Sequence, residues 1–216
     1  MNLANVVLDS PVFQQTPKDQ IPEADHKNAE ELRIHNREMQ NLKKLAYALG
    51  VGKIIRGERK AGGGNCAGEY FYSREFNRQQ RFLSEWNLSP KQLSTIHREV
   101  RNGRDVIVLD HDAADDPASV LAHEIGHLIN HRLGGLSPFE RNSSRVTANM
   151  RRVARFDAYF LQKRDEFYAE AWSLFLCGVN RPTLFRYLSR PLRRLRVRHP
   201  EKARMIEAHA SVQGTF

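Results

Sequence analysis

Two histidines four residues apart, with a glutamate directly after the first, stand at His123-Glu124-Ile125-Gly126-His127. On a helix, residues four apart lie one turn above each other on the same face. His123 and His127 can therefore offer two imidazole nitrogens to one metal ion. Glu124, one position round the helix, can hold a water on that ion as general base without being a ligand. Catalytic zinc takes three protein ligands at ~2.0–2.2 Å and keeps one position for water. The chemistry in view is metal-assisted hydrolysis, and it needs a third Asp, Glu or His.

One class of zinc site takes a histidine six residues beyond the second, preceded by a glycine. Here position 133 is Leu133 and position 130 is Asn130, so that class is excluded. A straight helix carries His131 past the metal, which puts it behind the site or at the surface. The acidic candidates are Glu140, Asp157, Asp165, Glu166 and Glu170, before the distant Glu201 and Glu207. Glu140, in a Ser-Pro-Phe-Glu-Arg turn, suits the surface. Glu166 and Glu170 stack on one helical face, with Phe167, Ala171 and Leu174 as an apolar stripe beside them. One of these carboxylates can bind zinc while the other accepts a hydrogen bond from a ligand histidine and fixes its tautomer. The alternative is a like-charge pair on a solvated face.

The elements that must hold these groups are legible around them. Leu121, Ile125 and Leu128 form an apolar stripe that buries the histidine helix, which is expected to start near Pro117 and stop at Gly134-Gly135. Upstream, residues 1–22 are polar and punctuated by Pro11, Pro17 and Pro22, the composition of a disordered tail. Residues 23–216 are expected to form a single domain. Glu23 to Leu49 is a long helix closed by Gly50. Strands are expected at Lys53–Arg56, Glu69–Tyr72 and Arg104–Asp110, and a helix opens at Ser89-Pro90. The run Gly62-Gly63-Gly64 lacks the G-K-[ST] ending of a phosphate loop and is a turn. Downstream, Arg145–Gln162, Arg164–Cys177, Pro182–Leu188, Leu192–Val197 and Glu201–Val212 are helical pieces separated by Gly or Pro. The expected class is α+β, with a small mixed sheet and the H-E-x-x-H helix in the N-terminal half. The C-terminal half is all-helical, and a cleft lies between.

Glu166-Phe167-Tyr168-Ala169-Glu170-Ala171-Trp172 resembles the E-F-[FY]-A-E-A-[FW] signature of the anthrax lethal-factor-like metallopeptidases, which include small secreted Pro-Pro endopeptidases. The likeness covers roughly residues 104–177 and implies a zincin-like fold. It implies that Glu166 is the third zinc ligand, beside His123 and His127, and that Glu170 supports a histidine from behind. It also implies that Tyr159, seven residues before Glu166, donates to the oxyanion. The activity implied is zinc-dependent endopeptidase cleavage of a protein or peptide substrate, in a host or target cell. A second resemblance, to regulatory metallopeptidases that cleave repressors, rests on His123 to Leu128 alone.

Composition bounds the rest. The chain has 216 residues, 27% of them charged, and a formal charge of +9. A basic balance suits acidic partners but carries no nucleic-acid-binding motif. Arg181 to Arg198 holds seven arginines among Leu and aromatic positions, an amphipathic face that a non-catalytic, zinc-stapled protein could use to bind acidic partners. Cys66 and Cys177 are too few for a disulfide framework or a Cys-type zinc cluster. No apolar run reaches the length of a membrane span and no secretory leader pattern is present, so the expectation is cytoplasmic residence or leaderless secretion as an effector or toxin-like protease.

Overall fold

The computed structural model describes residues 23–60, 67–111, 117–137, 140, 163–179 and 182–212. Contacts divide the chain into Met1–His35 and Asn36–Phe216. In the first unit the described residues are only the opening of helix α1, Glu23–Leu49. The second unit carries everything below. Within it, Met39, Leu42, Leu45, Ala46 and Leu49 recur at helical spacing on α1 and are all buried. Gly50, at φ 115°, takes the chain out of the helix in a conformation that side chains with a Cβ rarely adopt.

The strands are β1 (Val51–Arg59), β2 (Gly68–Phe71), β3 (Trp86–Asn87) and β4 (Asp105–Asp110). They form one sheet in the order β2-β4-β1-β3, with β4 parallel to β1 and antiparallel to β2, and β3 antiparallel to β1. The fold is thus mixed α+β. The centre of β4, Val106 to Leu109, is apolar because it is covered on both faces. Ile107 and Leu109 join the core beneath the helices, whereas Val106 and Val108 pack with Phe71, Phe76, Trp86 and Ile96 on the opposite face. Between β2 and β3 the chain turns through α2 (Phe76–Gln79), flanked by 3-10 turns at Ser73–Glu75 and Gln80–Glu85. Helix α3 (Pro90–Arg101) opens on a reciprocal cap: Ser89 accepts from the Gln92 backbone, and the Gln92 side chain accepts from the Ser89 backbone at 2.7 Å.

Among the described residues four helices follow: α4 (Pro117–His131), α5 (Arg164–Leu176), α6 (Pro182–Arg198) and α7 (Pro200–Val212). The expected break at Pro191 is absent, and Pro182–Leu188 and Leu192–Val197 are parts of one continuous helix. Proline removes one backbone donor there, but Leu188 before it and Leu195 after it are both fully buried, so packing overrides the local preference. Two arginines of that helix are engaged: Arg194 with Glu140 and the Gly135 carbonyl, and Arg196 with Glu207. The helix expected over residues 145–162 lies outside the described residues, as do the 1–22 tail, the glycine run and Cys66. Among the described residues no helix is long and apolar enough to cross a membrane.

Two contacts set the frame for the chemistry. Asp105, fully buried at the start of β4, accepts hydrogen bonds from the Tyr70 hydroxyl at 2.6 Å and from Ser73, and pairs with Arg132 at 3.0 Å. It thereby ties β2 to the end of α4. Gly126 faces Ala169 so closely that a Cβ there would lie 2.5 Å from the Ala169 carbonyl oxygen. Helices α4 and α5 therefore meet backbone to backbone.

Candidate metal centre

The close crossing decides which side chains meet. The apolar stripe of α4, Leu121, Ile125 and Leu128, is fully buried, and on α5 so are Phe167, Ala171 and Trp172. With those faces fixed, His123 and His127 project from α4 toward Glu166 and Glu170 on α5. His123 Nε2 lies 3.3 Å and His127 Nε2 lies 3.5 Å from the same Glu166 oxygen. Charge-assisted hydrogen bonds run shorter, about 2.7–2.9 Å. Ligands at ~2.0–2.1 Å from a tetrahedral ion stand roughly 3.3–3.4 Å apart. The two nitrogen-to-oxygen separations thus match edges of a metal tetrahedron, and with all three ligand atoms within 4.8 Å of one another the residues could hold an ion of the kind expected from the sequence.

The other imidazole nitrogens are held from behind. His123 Nδ1 lies 3.1 Å from Glu170 and His127 Nδ1 lies 3.2 Å from Asp165. With each Nδ1 donating to a carboxylate, each Nε2 keeps its lone pair for a metal. Asp165 is itself anchored: its other oxygen accepts from Asn130 at 3.3 Å, and Asn130 accepts from the buried Trp172 indole at 3.1 Å. His131 completes the anchor, with Nε2 at 2.8 Å from the Asp165 oxygen that also meets His127. His127, His131 and Asp165 form a second group close enough to enclose an ion. Its 2.8 Å contact is the length of a hydrogen bond and too short for two ligands of one tetrahedral ion. That group is a support for His127.

Electrostatics follow from this packing. Burial pushes the pKa of His123 and His127 down, but the facing carboxylates outweigh it and both end raised, His127 well above the usual range. Burial pushes Glu166 and Asp165 up, yet the histidines pull both far below the usual carboxylate range. Without metal, these shifts favour a knot of paired charges, and a cation binding there competes with protons for the same groups. Glu124 lies beside the knot, 4% exposed, with its pKa raised by burial. Only a glycine fits against it: a Cβ at Gly68 of β2 would come within 2.8 Å of the Glu124 Oε1.

These groups line a cavity of about 530 Å³, walled by Ala67 and the β2 residues Gly68 to Tyr70 on one side and by α4 and α5 on the other. Glu69 on β2 also reaches it, with a pKa raised to about 8, first by burial and then by Glu124.

Of the residues expected from the sequence, His123, Glu124, His127, Glu166 and Glu170 converge here, and Tyr159 lies outside the described residues. Glu140 is elsewhere, accepting from Ser137 at 2.9 Å and pairing with Arg194, which hold its pKa down at about 2 against the effect of burial. The sequence reading missed Asp165 and Asn130 as supports, and it missed Gly126, Gly68 and Glu69. Asp165 carried one usable signal, an acid adjoining the candidate ligand Glu166. The others depend on which segments lie side by side. The chain matches no family model, no curated protein and no solved structure.

Proposed function

We propose that this chain is a zinc-dependent endopeptidase with a zincin-like fold, holding the ion through His123, His127 and Glu166. The observation that carries the reading is the pair of Nε2-to-Glu166 distances, 3.3 and 3.5 Å, with both Nδ1 atoms backed by carboxylates. Two imidazoles and one carboxylate, with a position left over, are a donor set suited to catalytic zinc. When bound, such an ion polarises a carbonyl and acidifies water. Glu124 accepts the proton of the attacking water and delivers it to the leaving nitrogen, a task suited to a buried carboxylate whose pKa is raised by its burial. Glu170 and Asp165 keep the imidazoles in the metal-binding tautomer.

The cavity wall supports a peptide as substrate. β2 is the edge of the sheet, and among the described residues no strand pairs with its outer side. A polypeptide entering the cavity would run between β2 and the two helices, past Glu124. The family resemblance adds a substrate outside the producing cell and Tyr159 as oxyanion donor.

The test is to compare wild type with Glu124→Gln on a host-cell extract, sequencing newly formed N-termini, with metal content measured alongside. The reading expects one zinc per chain in both proteins and new N-termini only with wild type. Equal cleavage by both proteins overturns it, as does a wild type that retains no zinc.

A further inference from the structure

The cavity reaches round the outer side of β2. Side chains alternate along a strand, and those that stand opposite each other in register share a face of the sheet. Glu69 and Phe71 stand opposite Val108 and Val106, and Phe71, Val106 and Val108 all pack on the face away from α4. Gly68 and Tyr70 belong to the other face, Gly68 against Glu124 and Tyr70 with its ring 6.0 Å from that of His131. Glu69 therefore points away from α4, yet it lines the same cavity as His123 and Glu124. Since β2 is the last strand of the sheet, the space passes its edge into a recess, where Gln79 and Phe82 also line it.

Glu69 is half-buried in this recess without a counter-ion. Asp165, Glu166 and Glu170 face the histidines, whereas among the described residues no group donates a hydrogen bond to the Glu69 carboxyl and no cation stands at ion-pair distance from it. Arg59 is within electrostatic reach, but it is paired with Glu85 and stacked over the Trp86 ring at 5.4 Å. Gln79 is held by the backbone of Tyr70 and Tyr72. An unpaired carboxyl in such a place is unfavourable, and burial with Glu124 beside it pushes its pKa to about 8, against the pull of His127 and Arg59. A cation brought into the recess would supply the missing partner. The charge of the whole cavity favours the same ligand: five carboxyls line it, Glu69, Glu124, Asp165, Glu166 and Glu170, against Lys163 as the one lysine or arginine among the described residues there. A divalent ion and Lys163 together offset three of those charges when all are ionised, so the cavity stays acidic in a chain whose formal charge is +9. Such a contrast draws in cations and rejects anions. Phe82 adds an apolar wall for the methylene stem of a long side chain. We propose that the recess around Glu69 is a specificity pocket for a cationic nitrogen of the substrate, carried by a lysine or arginine close to the scissile bond or by a free amino terminus. This rests on the peptidase reading above.

The experiment starts from short synthetic peptides of random sequence, cleaved by the zinc-loaded wild type. Those that are cut are remade with Lys, Gln or norleucine at each position flanking the bond, each with a free and an acetylated amino terminus. The quantity read is the ratio of kcat/KM for the Lys peptide to that for its norleucine twin, in wild type and in Glu69→Gln. In wild type the ratio reaches roughly 10–100 at one position, the range of one charge-assisted hydrogen bond, and in Glu69→Gln it falls to about 3 or less. Should Glu69→Gln lose zinc or melt early, Glu69→Asp, which keeps the charge but withdraws it, is read the same way. If the preference follows the free amino terminus instead of a side chain, the pocket stands and the chain end is its occupant. Equal losses for Lys and norleucine peptides in Glu69→Gln overturn the proposal, as a merely structural role would produce them. So does a wild type indifferent both to Lys and to acetylation. Binding is measured by fluorescence anisotropy, using labelled polyalanine peptides that carry one Lys or one norleucine, with zinc-loaded Glu124→Gln and Glu124→Gln/Glu69→Gln. If wild type cleaves nothing while binding shows the Lys preference and the double variant loses it, the peptidase reading fails and the pocket stands. Cleavage without any such preference gives the converse, and neither cleavage nor binding overturns both.

Discussion

Glu69 offers a quantitative test of the electrostatics around the candidate centre. Its carboxyl lies beside Glu124, and burial together with that neighbour raises its pKa from 4.5 to about 8. Between those two values the folded chain keeps a proton that the unfolded chain has lost, so this group makes stability fall as pH rises through the window. The full loss, at about 1.4 kcal/mol per unit, is on the order of 4–5 kcal/mol. A carboxamide cannot ionise, so Glu69→Gln removes this slope. The measurement is thermal or urea unfolding of metal-free protein, kept in chelator, from pH 5 to pH 9. His123 and His127, also raised, supply stability that is present below their unfolded value and lost as pH rises through the folded one. The variant-minus-parent difference is therefore the quantity to read. At pH 5 the two proteins should agree within about 1 kcal/mol, since a protonated carboxyl and an amide are alike in size and polarity. At pH 9 the variant should melt higher by about 10 °C, given ~2–4 °C per kcal/mol for a chain of this size. Parallel stability curves across the range would refute this electrostatic coupling of Glu69 to its partial burial and to Glu124.

Three further perturbations probe the frame. Gly126→Ala places a methyl against the Ala169 backbone, where neither helix can yield cheaply; it should cost ~2–3 kcal/mol, seen as a lower Tm, and weaken metal binding by moving Glu166 away from the histidines. An unchanged Tm and affinity would mean that the two helices do not touch there. Asp165→Asn leaves the ligands in place but weakens the support of His127 Nδ1, and competition against a chromophoric chelator should show metal affinity lower by about 10–100-fold. Tyr159→Phe should reduce kcat by ~100-fold with KM little changed if the hydroxyl donates to the oxyanion; an unaltered kcat removes Tyr159 from that role.

The parts of this architecture that were legible in the sequence are those written in local, periodic signals. The three-residue and four-residue spacing of Leu121, Ile125 and Leu128 fixes which face of α4 is buried, and so which face His123 and His127 share. Ser89-Pro90 and Gln92 mark the start of α3 because a cap is a contact within one turn. The unbroken apolar centre of β4 marks a strand covered on both faces. The continuous α6 was missed because the local cost of Pro191 is visible in the sequence whereas the burial of Leu188 and Leu195 is not.

The same distinction separates the ligands from their setting. Glu166 and Glu170 declare a shared face by being four apart, but nothing local says that Asp165 reaches His127 and His131, because that contact exists only once α4 and α5 cross at Gly126 and Ala169. That crossing is itself written in Gly126, inside the histidine motif, whose lack of a side chain becomes meaningful only against the backbone of Ala169. Gly68 behaves alike: it reads as the end of a glycine-rich turn until β2 lies against Glu124, where a Cβ would collide with the carboxylate. The motif residues therefore name the chemistry, and the small residues between and before them set the distances at which it can occur. A search for such centres from sequence should weigh Gly126 and Gly68 with the histidines and glutamates, since a Cβ at either would crowd the groups that the motif brings into register.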